Sequence, residues 1–387
     1  MKITERVQLA DHTTLHLGGA AARFVTAATQ EQIVAAVRAA DLAGEPVLVL
    51  GGGSNLVVAD EGFPGTVVFV ASAGLEFSAA DDAIELTAAA GEDWDGLVRR
   101  CVTDGLSGVE CLSGIPGRTG ATPIQNVGAY GQEVAQTVTL VRAYDRLSGE
   151  IVRFSAAECG FGYRTSMFKR RAGAGTRVGV GAGPGGGLNP ADATGRYVVL
   201  SVAYRLAAGP LSAPIRYAEL ARSLGVPEGS RVPLADARAA VLELRRGKGM
   251  VLDAADPDTR SAGSFFTNPV LSAAQFADLR ALLSGRPELA GADGAQAVSI
   301  PHWPAADGQV KVSAAWLIER AGFGRGYSAD PRLGGARIST KHTLALTNPG
   351  RGTTAGLIEL ARQVRDGVFD AFRVELVNEP VLVGVEF

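Results

Sequence analysis

Apolar and polar positions along the chain predict a mixture of helices and strands, as in an α+β fold. Apolar residues recur at helical spacing between Thr29 and Gly44, and Thr29 with Gln32 forms a candidate capping box. The all-apolar run Val47–Leu50 is typical of a strand buried on both faces. Leu56–Val58 predicts another strand shortly after it. The chain therefore opens with helix, strand, loop and strand.

The same patterns predict the later elements. Strands are expected at 84–88, 137–145, 150–154 and 197–206, and helices at 92–104, 234–246, 313–322 and 357–368. The last two apolar runs, 373–377 and 381–385, are separated by Asn378-Glu379-Pro380 and predict a terminal hairpin. Residues 172–187 are rich in Gly and Ala without apolar periodicity, which indicates a flexible surface insertion.

Composition narrows the possible functions. The 387 residues exceed the usual size of one domain, and a chain with 47% hydrophobic and 20% charged residues is globular. A net charge of -3 offers no general attraction to nucleic acid or to an anionic membrane. No apolar run approaches the ~20 residues of a membrane span, and the start lacks the apolar stretch of a signal peptide. We therefore expect a cytoplasmic monomer that binds a small molecule, not nucleic acid or a membrane.

Cysteine and histidine spacing predicts no metal site. Cys101, Cys111 and Cys159 are odd in number and lack metal-ligand spacing, so we expect reduced, buried thiols. None of the four histidines belongs to an H-E-x-x-H pattern. The basic run Lys169-Arg170-Arg171 is most simply interpreted as part of a solvated, basic surface.

A first glycine loop, Gly51-Gly52-Gly53-Ser54-Asn55, directly follows the Val47–Leu50 strand. With so few side chains, it can present backbone N–H groups to a phosphate. A Rossmann loop is excluded, because the third glycine is missing and a strand follows where a helix should begin. A strand–loop–strand phosphate cradle for a flavin nucleotide and an ordinary glycine-rich hairpin both remain possible.

A second glycine-rich segment covers residues 112–131. It carries hydroxyl and amide side chains where an exposed linker would more often carry Lys and Glu, and such groups can approach and hydrogen-bond a buried polar ligand. Residues 262–269, Ala-Gly-Ser-Phe-Phe-Thr-Asn-Pro, combine tight backbone, aromatic side chains and polar groups, which suits a site lining. Taken alone, Ser264 is more simply a turn serine that bonds its own backbone.

Four separated motifs occur in order along the chain: residues 50–55, residues 115–117 with 123–131, the turn Phe161-Gly162-Tyr163-Arg164-Thr165-Ser166, and residues 262–269. Together they resemble the UDP-N-acetylenolpyruvoylglucosamine reductase (MurB) family. The resemblance covers nearly the whole chain and implies an α+β fold. Its FAD-binding region, of the PCMH/vanillyl-alcohol-oxidase type, would comprise subdomains at 1–67 and 68–207. An α+β substrate-binding domain would follow at 208–387, with its C-terminal strands returning towards the flavin site.

The resemblance also implies a reaction. Enzymes of this family use NADPH and non-covalently bound FAD to reduce the enolpyruvyl ether of UDP-N-acetylglucosamine to UDP-N-acetylmuramate for peptidoglycan synthesis. By resemblance, Arg164 clamps the substrate carboxylate, Glu379 orients it or donates to it, and Ser264 gives a proton to the α-carbon. A hydroxyl is a poor acid, but an enolate is basic enough to accept its proton when neighbours polarise the serine.

Binding residues follow from the same resemblance. Tyr217 matches the tyrosine loop of the type I class, and His342 is interpreted as structural or as part of a ligand shell. Lys248 lies between two glycines, where it could reach an anion, although an ordinary surface lysine is the alternative. The expected substrate contacts are Tyr163, Tyr217, Lys248, Phe265, Asn268 and Lys311. The expected FAD contacts are Gly51, Gly52, Gly53, Ser54, Asn55, Ser113, Gly114, Ile115, Pro116, Thr119, Gly120, Thr122, Gln125, Asn126, Gly128 and Ala129.

One departure and two alternatives accompany this interpretation. Val381 stands where the best-known type I pattern has an arginine, two residues after the glutamate. An FAD-dependent oxidase of the same fold, acting on an alcohol or lactone, would also explain the glycine loops. A nucleotide-sugar binding protein without redox activity would be colourless, or would not be reduced by NADPH.

Overall fold

A computed structural model describes residues 1–169, 193–285, 300–328 and 335–387 of the chain. The predicted insertion at 172–187 lies outside the described residues. Among the described helices, none combines the length and apolar character needed to cross a membrane.

The N-terminal region is a sheet with a helix packed on it. Four of its strands pair in the order β1-β2-β5-β3, with β5 parallel to both β2 and β3. Alternate residues of the central strands contribute to two different apolar cores, which confirms that this sheet is buried on both faces. The elements are β1 (Lys2–Gln8), β2 (Ala20–Ala27), α1 (Gln30–Ala43), β3 (Val47–Leu50), β4 (Leu56–Val58) and β5 (Phe63–Val70).

Helix α1 begins and ends where the sequence predicts. Thr29 Oγ1 accepts a hydrogen bond from Gln32 N (3.3 Å), and Gly44 closes the helix with φ 68°. The Gln32 side chain accepts from Ala28 N (2.9 Å) instead of Thr29 N, so the predicted capping box forms only in part.

A second, larger sheet follows in the chain. Its main order is β12-β11-β13-β7-β6, and β8 pairs with the end of β13. The strands predicted at 84–88, 137–145, 150–154 and 197–206 and the helix at 92–104 are confirmed. The elements are β6 (Leu75–Ala80), β7 (Ala83–Ala89), α2 (Trp94–Thr103), β8 (Leu106–Ser107), β9 (Gly128–Ala129), β10 (Gln132–Glu133), β11 (Val138–Asp145), β12 (Glu150–Ser155) and β13 (Tyr197–Ala208).

The C-terminal region combines helices with short strands. Strands β14, β16 and β15 form a small antiparallel sheet, and β17 pairs with β18. The elements are α3 (Ala218–Leu224), α4 (Leu234–Gly247), β14 (Val270–Leu271), α5 (Ala273–Ser284), β15 (His302–Pro304), β16 (Val310–Val312), α6 (Ala314–Arg320), β17 (Arg337–Ile338), β18 (Leu346–Thr347), α7 (Thr354–Phe372) and β19 (Val381–Val383).

The predicted terminal hairpin is wrong. Residues 373–377 do alternate between exposed and buried positions, but they form no strand, and β19 pairs in parallel with β4. The preceding segment instead bonds to the loop around Ser264. Thr267 N donates to the Val377 carbonyl (3.0 Å), and Glu379 N donates to the Phe265 carbonyl (2.8 Å). This arrangement places Glu379 between the N-terminal region and the Ser264 loop.

The three-region division stays a prediction, with one adjustment. The expected boundary between residues 67 and 68 falls inside β5, a continuous strand, so it belongs after Val70. Residues on both sides of this boundary share one apolar core, which joins the first two regions. Cys101, Cys111 and Cys159 are free and buried, as predicted.

Candidate active site

Side-chain hydrogen bonds join the first glycine loop to the second glycine-rich segment. Ser54 Oγ donates to the Pro116 carbonyl (2.9 Å), and Asn55 Nδ2 donates to Gln125 Oε1 (2.8 Å). The Asn55 carbonyl accepts a hydrogen bond from Val381 N (2.9 Å). Three segments that are far apart in the sequence therefore form one wall.

Close backbone contacts require two glycines of the first loop. A Cβ at Gly52 would lie 2.6 Å from Gly117 Cα. At Gly53, where φ is +62°, a Cβ would lie 1.9 Å from the His12 carbonyl oxygen. Both distances are far below an ordinary contact of ~3.5–4.0 Å. The loop therefore keeps a bare backbone surface, as a phosphate cradle requires.

A cavity of about 330 Å³ extends from this wall to the C-terminal region. It brings together most of the predicted FAD contacts and mixes backbone, hydroxyl, amide and apolar groups, which suits a flavin nucleotide. The predicted FAD contacts that line it are Gly51, Gly52, Gly53, Ser54, Asn55, Ile115, Pro116, Gly120, Thr122, Gln125, Gly128 and Ala129.

Four predicted FAD contacts, Ser113, Gly114, Thr119 and Asn126, do not line this cavity. Their polar groups instead hold the second glycine-rich segment in place. Ser113 Oγ donates to Glu110 O (2.6 Å), Gly114 N to Asp95 Oδ1 (2.6 Å), Thr119 Oγ1 to Glu92 O (3.2 Å) and Asn126 Nδ2 to Glu133 Oε2 (2.9 Å).

The three predicted reaction residues, Arg164, Glu379 and Ser264, line the same cavity. Arg164 Nε lies 3.3 Å from Glu379 Oε1, and Arg164 Nη2 donates to the Gly128 carbonyl (2.7 Å). The Ser264 hydroxyl has no hydrogen-bond partner within the described residues, so it can contact a ligand. The structure thus places a cation, a carboxyl group and a hydroxyl around one space.

Glu379 is shielded from solvent, with 13% of its side chain exposed. This burial raises the pKa of the Glu379 carboxyl, while Arg164 and then Lys169 oppose the rise. A carboxyl group in such a place is poised to be protonated more readily than one on the surface, and a protonated carboxyl can donate a hydrogen bond.

Tyr163, Asn268 and Lys311 form a cluster beside Arg164. The Lys311 Nζ atom lies 4.8 Å from the centre of the Tyr163 ring, and the guanidinium carbon of Arg164 lies 5.6 Å from the same centre. Asn268 lies near the Tyr163 phenol, and its Oδ1 accepts from Ala314 N (2.9 Å). The cluster lies outside the cavity wall and groups three of the predicted substrate contacts.

A second cluster contains Tyr217 and Lys248. The rings of Tyr217 and Tyr130 meet edge to face with centres 5.4 Å apart, and Tyr217 is 42% exposed. Lys248 Nζ lies 2.6 Å from Glu219 Oε2 and 5.6 Å from the centre of the Tyr130 ring. Lys248 is therefore paired with a carboxylate instead of extending freely from the surface.

Phe265 is not part of the cavity wall, contrary to its predicted contact with substrate. It is 1% exposed and packs against Phe266 and Phe387 in the C-terminal core. Its backbone accepts from Glu379 N and donates to the Leu344 carbonyl (2.7 Å). Phe265 thus anchors the Ser264 loop through its main chain and its buried ring.

His342 lies near the Lys248 cluster. Burial, with the nearby Lys248 charge, lowers the pKa of His342 to about 4. The imidazole is therefore neutral at physiological pH.

Three cationic residues of the cavity wall, Arg118, Lys169 and Arg245, are absent from the predicted contacts. The family motifs do not include these residues. The basic run at 169–171 was interpreted as a solvated face, but Lys169 lines the cavity, and residues 170 and 171 lie outside the described residues. Arg245 Nε is buried without a hydrogen-bond partner among the described residues. Arg245 Nη2 donates to the Met250 carbonyl (2.7 Å), so the Nε group is the donor left for a ligand, and such a donor in a glycine-lined cavity fits a pyrophosphate, and with it FAD.

Comparison with known proteins agrees with this geometry. The family model for the C-terminal domain of UDP-N-acetylenolpyruvoylglucosamine reductase matches residues 256–383, and an FAD binding domain model matches residues 21–155. The reductase of that name from Thermobifida fusca is 57% identical, covering 98% of this chain and 97% of the relative. The Streptomyces coelicolor reductase is 55% identical, covering 97% and 89%. The crystal structure of the Thermus caldophilus reductase matches with a TM-score of 0.60 at 25% identity, covering 99% of each chain. This chain belongs to the UDP-N-acetylenolpyruvoylglucosamine reductase family.

Proposed function

We propose that the protein reduces the enolpyruvyl ether of UDP-N-acetylglucosamine to UDP-N-acetylmuramate in the cytoplasm, with FAD as cofactor and NADPH as electron donor. The product is a precursor of peptidoglycan. The observation that carries this proposal is the convergence of Arg164, Glu379 and Ser264 on a cavity walled by the two glycine-rich segments. The names of relatives that match nearly the whole chain support it.

The bare loop backbone and Arg245 would hold FAD through its pyrophosphate. When FAD is bound, it would supply the redox chemistry of the site, the transfer of hydride from NADPH to the β-carbon of the enolpyruvyl group. Hydride addition there moves negative charge onto the α-carbon and its carboxylate. Arg164 faces this charge, and the Gly128 carbonyl and Glu379 fix its guanidinium group in advance.

Glu379 and Ser264 would complete the reduction. The raised pKa of Glu379 favours a protonated carboxyl that donates to the substrate carboxylate. Ser264 would then transfer its hydroxyl proton to the α-carbon of the enolate. Its hydroxyl is unpartnered within the described residues, and the Phe265–Glu379 backbone bond holds its loop beside the carboxyl group.

The Tyr217 cluster would bind the nucleotide end of the substrate. A substrate diphosphate can replace the Glu219 carboxylate as the partner of Lys248, since both are anions. Tyr217, half exposed against Tyr130, can cover the bound sugar nucleotide as in the type I class. No comparable arginine follows Glu379, so Lys169 and Lys311 are the nearby cations that could replace it.

An anaerobic flavin spectrum tests the proposal. NADPH should bleach the oxidised flavin absorbance, and UDP-N-acetylglucosamine enolpyruvate should restore it while UDP-N-acetylmuramate forms. Reduced flavin that the substrate cannot reoxidise would contradict the reductase function. Rapid reoxidation by oxygen with an alcohol or lactone as reductant would favour an oxidase instead.

A further inference from the structure

Lys169 is an active-site residue to which the proposed reaction assigns no catalytic step. It lines the cavity with Arg164 and Glu379, and its Nζ atom donates to the Arg164 carbonyl oxygen (3.1 Å). Burial lowers the pKa of Lys169, because it destabilises the charged ammonium form. A partly buried ammonium group beside the proposed reaction residues indicates a role in the proposed reduction.

The contact with Arg164 supports an unusual backbone conformation. Arg164 has φ 52°, in the left-handed region that residues other than glycine seldom adopt. Such a conformation persists only where neighbouring contacts hold it. The Lys169 hydrogen bond holds the peptide group that follows the Arg164 Cα atom, and thereby the direction of the Arg164 side chain.

The charges near Glu379 also indicate a role for Lys169. Arg164 and Lys169 line the cavity with the Glu379 carboxyl and are the cations whose charges act on it, and the Tyr163 phenol lies in the range of its charge. Arg164 is already engaged by Glu379 Oε1 and the Gly128 carbonyl. Two cations against one carboxyl group leave at least one positive charge in excess, whether or not Glu379 is protonated, and this excess complements a carboxylate on the substrate.

We propose that Lys169 is a positioning residue whose ammonium group holds the left-handed turn that aims Arg164 and supplies the second positive charge beside Glu379. This inference rests on the proposed function, because that function makes Arg164 and Glu379 the groups that meet the substrate carboxylate.

The surrounding turn has other supports, so removing Lys169 should leave it folded. Asn126 Nδ2 donates to the Gly162 carbonyl (3.0 Å), Ser166 Oγ to the Ile124 carbonyl (2.7 Å) and Met167 N to the Cys159 carbonyl (2.9 Å). Lys169→Met keeps the length and apolar stem of the side chain and removes only its charge and donors. Lys169→Arg keeps the charge. Lys341→Met removes a lysine paired with Asp256 elsewhere and serves as a control.

The kinetic test separates the two halves of the reaction. In Lys169→Met, reduction of FAD by NADPH should stay close to wild type, while reoxidation by the enolpyruvyl substrate should slow roughly 10- to 100-fold, as expected for a misplaced catalytic group. Lys169→Arg should recover most of the rate, and Lys341→Met should match wild type. A normal reoxidation rate in Lys169→Met would overturn the inference. Wild-type protein that the substrate cannot reoxidise would instead refute the proposed function.

An infrared titration of the FAD-bound protein gives a readout that does not depend on turnover. The carbonyl stretch of protonated Glu379 can be assigned by its loss in Glu379→Gln. Without the Lys169 cation the Glu379 carboxyl should protonate at higher pH, so this band should persist to higher pH in Lys169→Met and titrate as in wild type in Lys169→Arg. An unshifted titration in Lys169→Met would show that Lys169 is only a structural support, even if the rate fell.

Discussion

Gly52→Ala tests whether close packing of the two glycine-rich segments creates the FAD site. Gly52 has an ordinary backbone conformation, so the substitution adds one methyl group without backbone strain. That methyl group would lie 2.6 Å from Gly117 Cα. Gly51→Ala is a matched control one residue earlier, because the nearest neighbour of its methyl group would be Arg118 Cβ at 3.4 Å, an ordinary contact distance.

The size of the effect follows from this contact. The Gly52 methyl group needs ~3.5 Å from a carbon atom, so the segments must separate by about 1 Å. Overpacking of this kind costs ~1–3 kcal/mol. If FAD binds only when the original spacing is restored, its Kd should rise ~5- to 150-fold, at ~1.4 kcal/mol for each factor of ten. Separation should also weaken the Ser54–Pro116 hydrogen bond, which spans the same gap.

Equilibrium titration of the apoproteins with FAD, followed by flavin fluorescence, measures these constants. Circular dichroism and thermal unfolding of each apoprotein would show whether the fold is retained. We expect a large loss of affinity in Gly52→Ala and a small one in Gly51→Ala. If Gly52→Ala bound FAD as tightly as wild type, or if both variants lost affinity equally, the contact between the segments would not be what shapes the site.

Three further predictions concern protons. Ser264→Ala should lower the rate of product formation by ~10²–10⁴ with flavin reduction by NADPH retained, as followed by stopped-flow absorbance and product analysis. Product formation at the normal rate would refute the proton-donor role. Glu379→Gln should raise the Tm at pH 8 and leave it unchanged near pH 4. The reason is that a carboxyl group whose pKa is raised in the folded state destabilises the fold only at a pH where it is ionised. Calorimetry at both pH values measures this, and the reverse result would contradict the argument that burial raises the Glu379 pKa. His342 has a pKa of about 4 in the folded state, compared with an ordinary value of 6.5. Between these two pH values the unfolded chain therefore binds more protons than the folded protein. The free energy of unfolding should fall by about 3 kcal/mol as the pH drops from 6.5 to 4. Urea unfolding of His342→Gln should lack this contribution, and an unchanged pH dependence would refute it.

Local patterns predicted the parts of the fold that local physics determines. Helix α1 begins at the Thr29 cap and ends at Gly44 because both signals act within one turn of the chain. The first glycine loop was recognisable because a bare backbone at the end of a buried strand is visible in the sequence itself. Contacts between segments that are far apart in the chain were harder to predict from the sequence. Asn126 has the amide expected of a cofactor contact, but its partners Glu133 and the Gly162 carbonyl place it behind the wall.

The path of the chain around Glu379 shows why the sequence alone does not predict the geometry of the site. The sequence predicted a strand at 373–377, and residues there alternate between exposed and buried positions, but such a pattern does not identify the partner that receives the hydrogen bonds of the segment. Its partner is the Ser264 loop, and β19 pairs with β4, more than 300 residues earlier in the chain. These two pairings, one on each side of Pro380, hold Glu379 where it meets Arg164. The carboxyl group therefore depends for its position on both ends of the chain, so substitutions that weaken the β4–β19 pairing should impair the reaction without touching any residue that contacts the substrate.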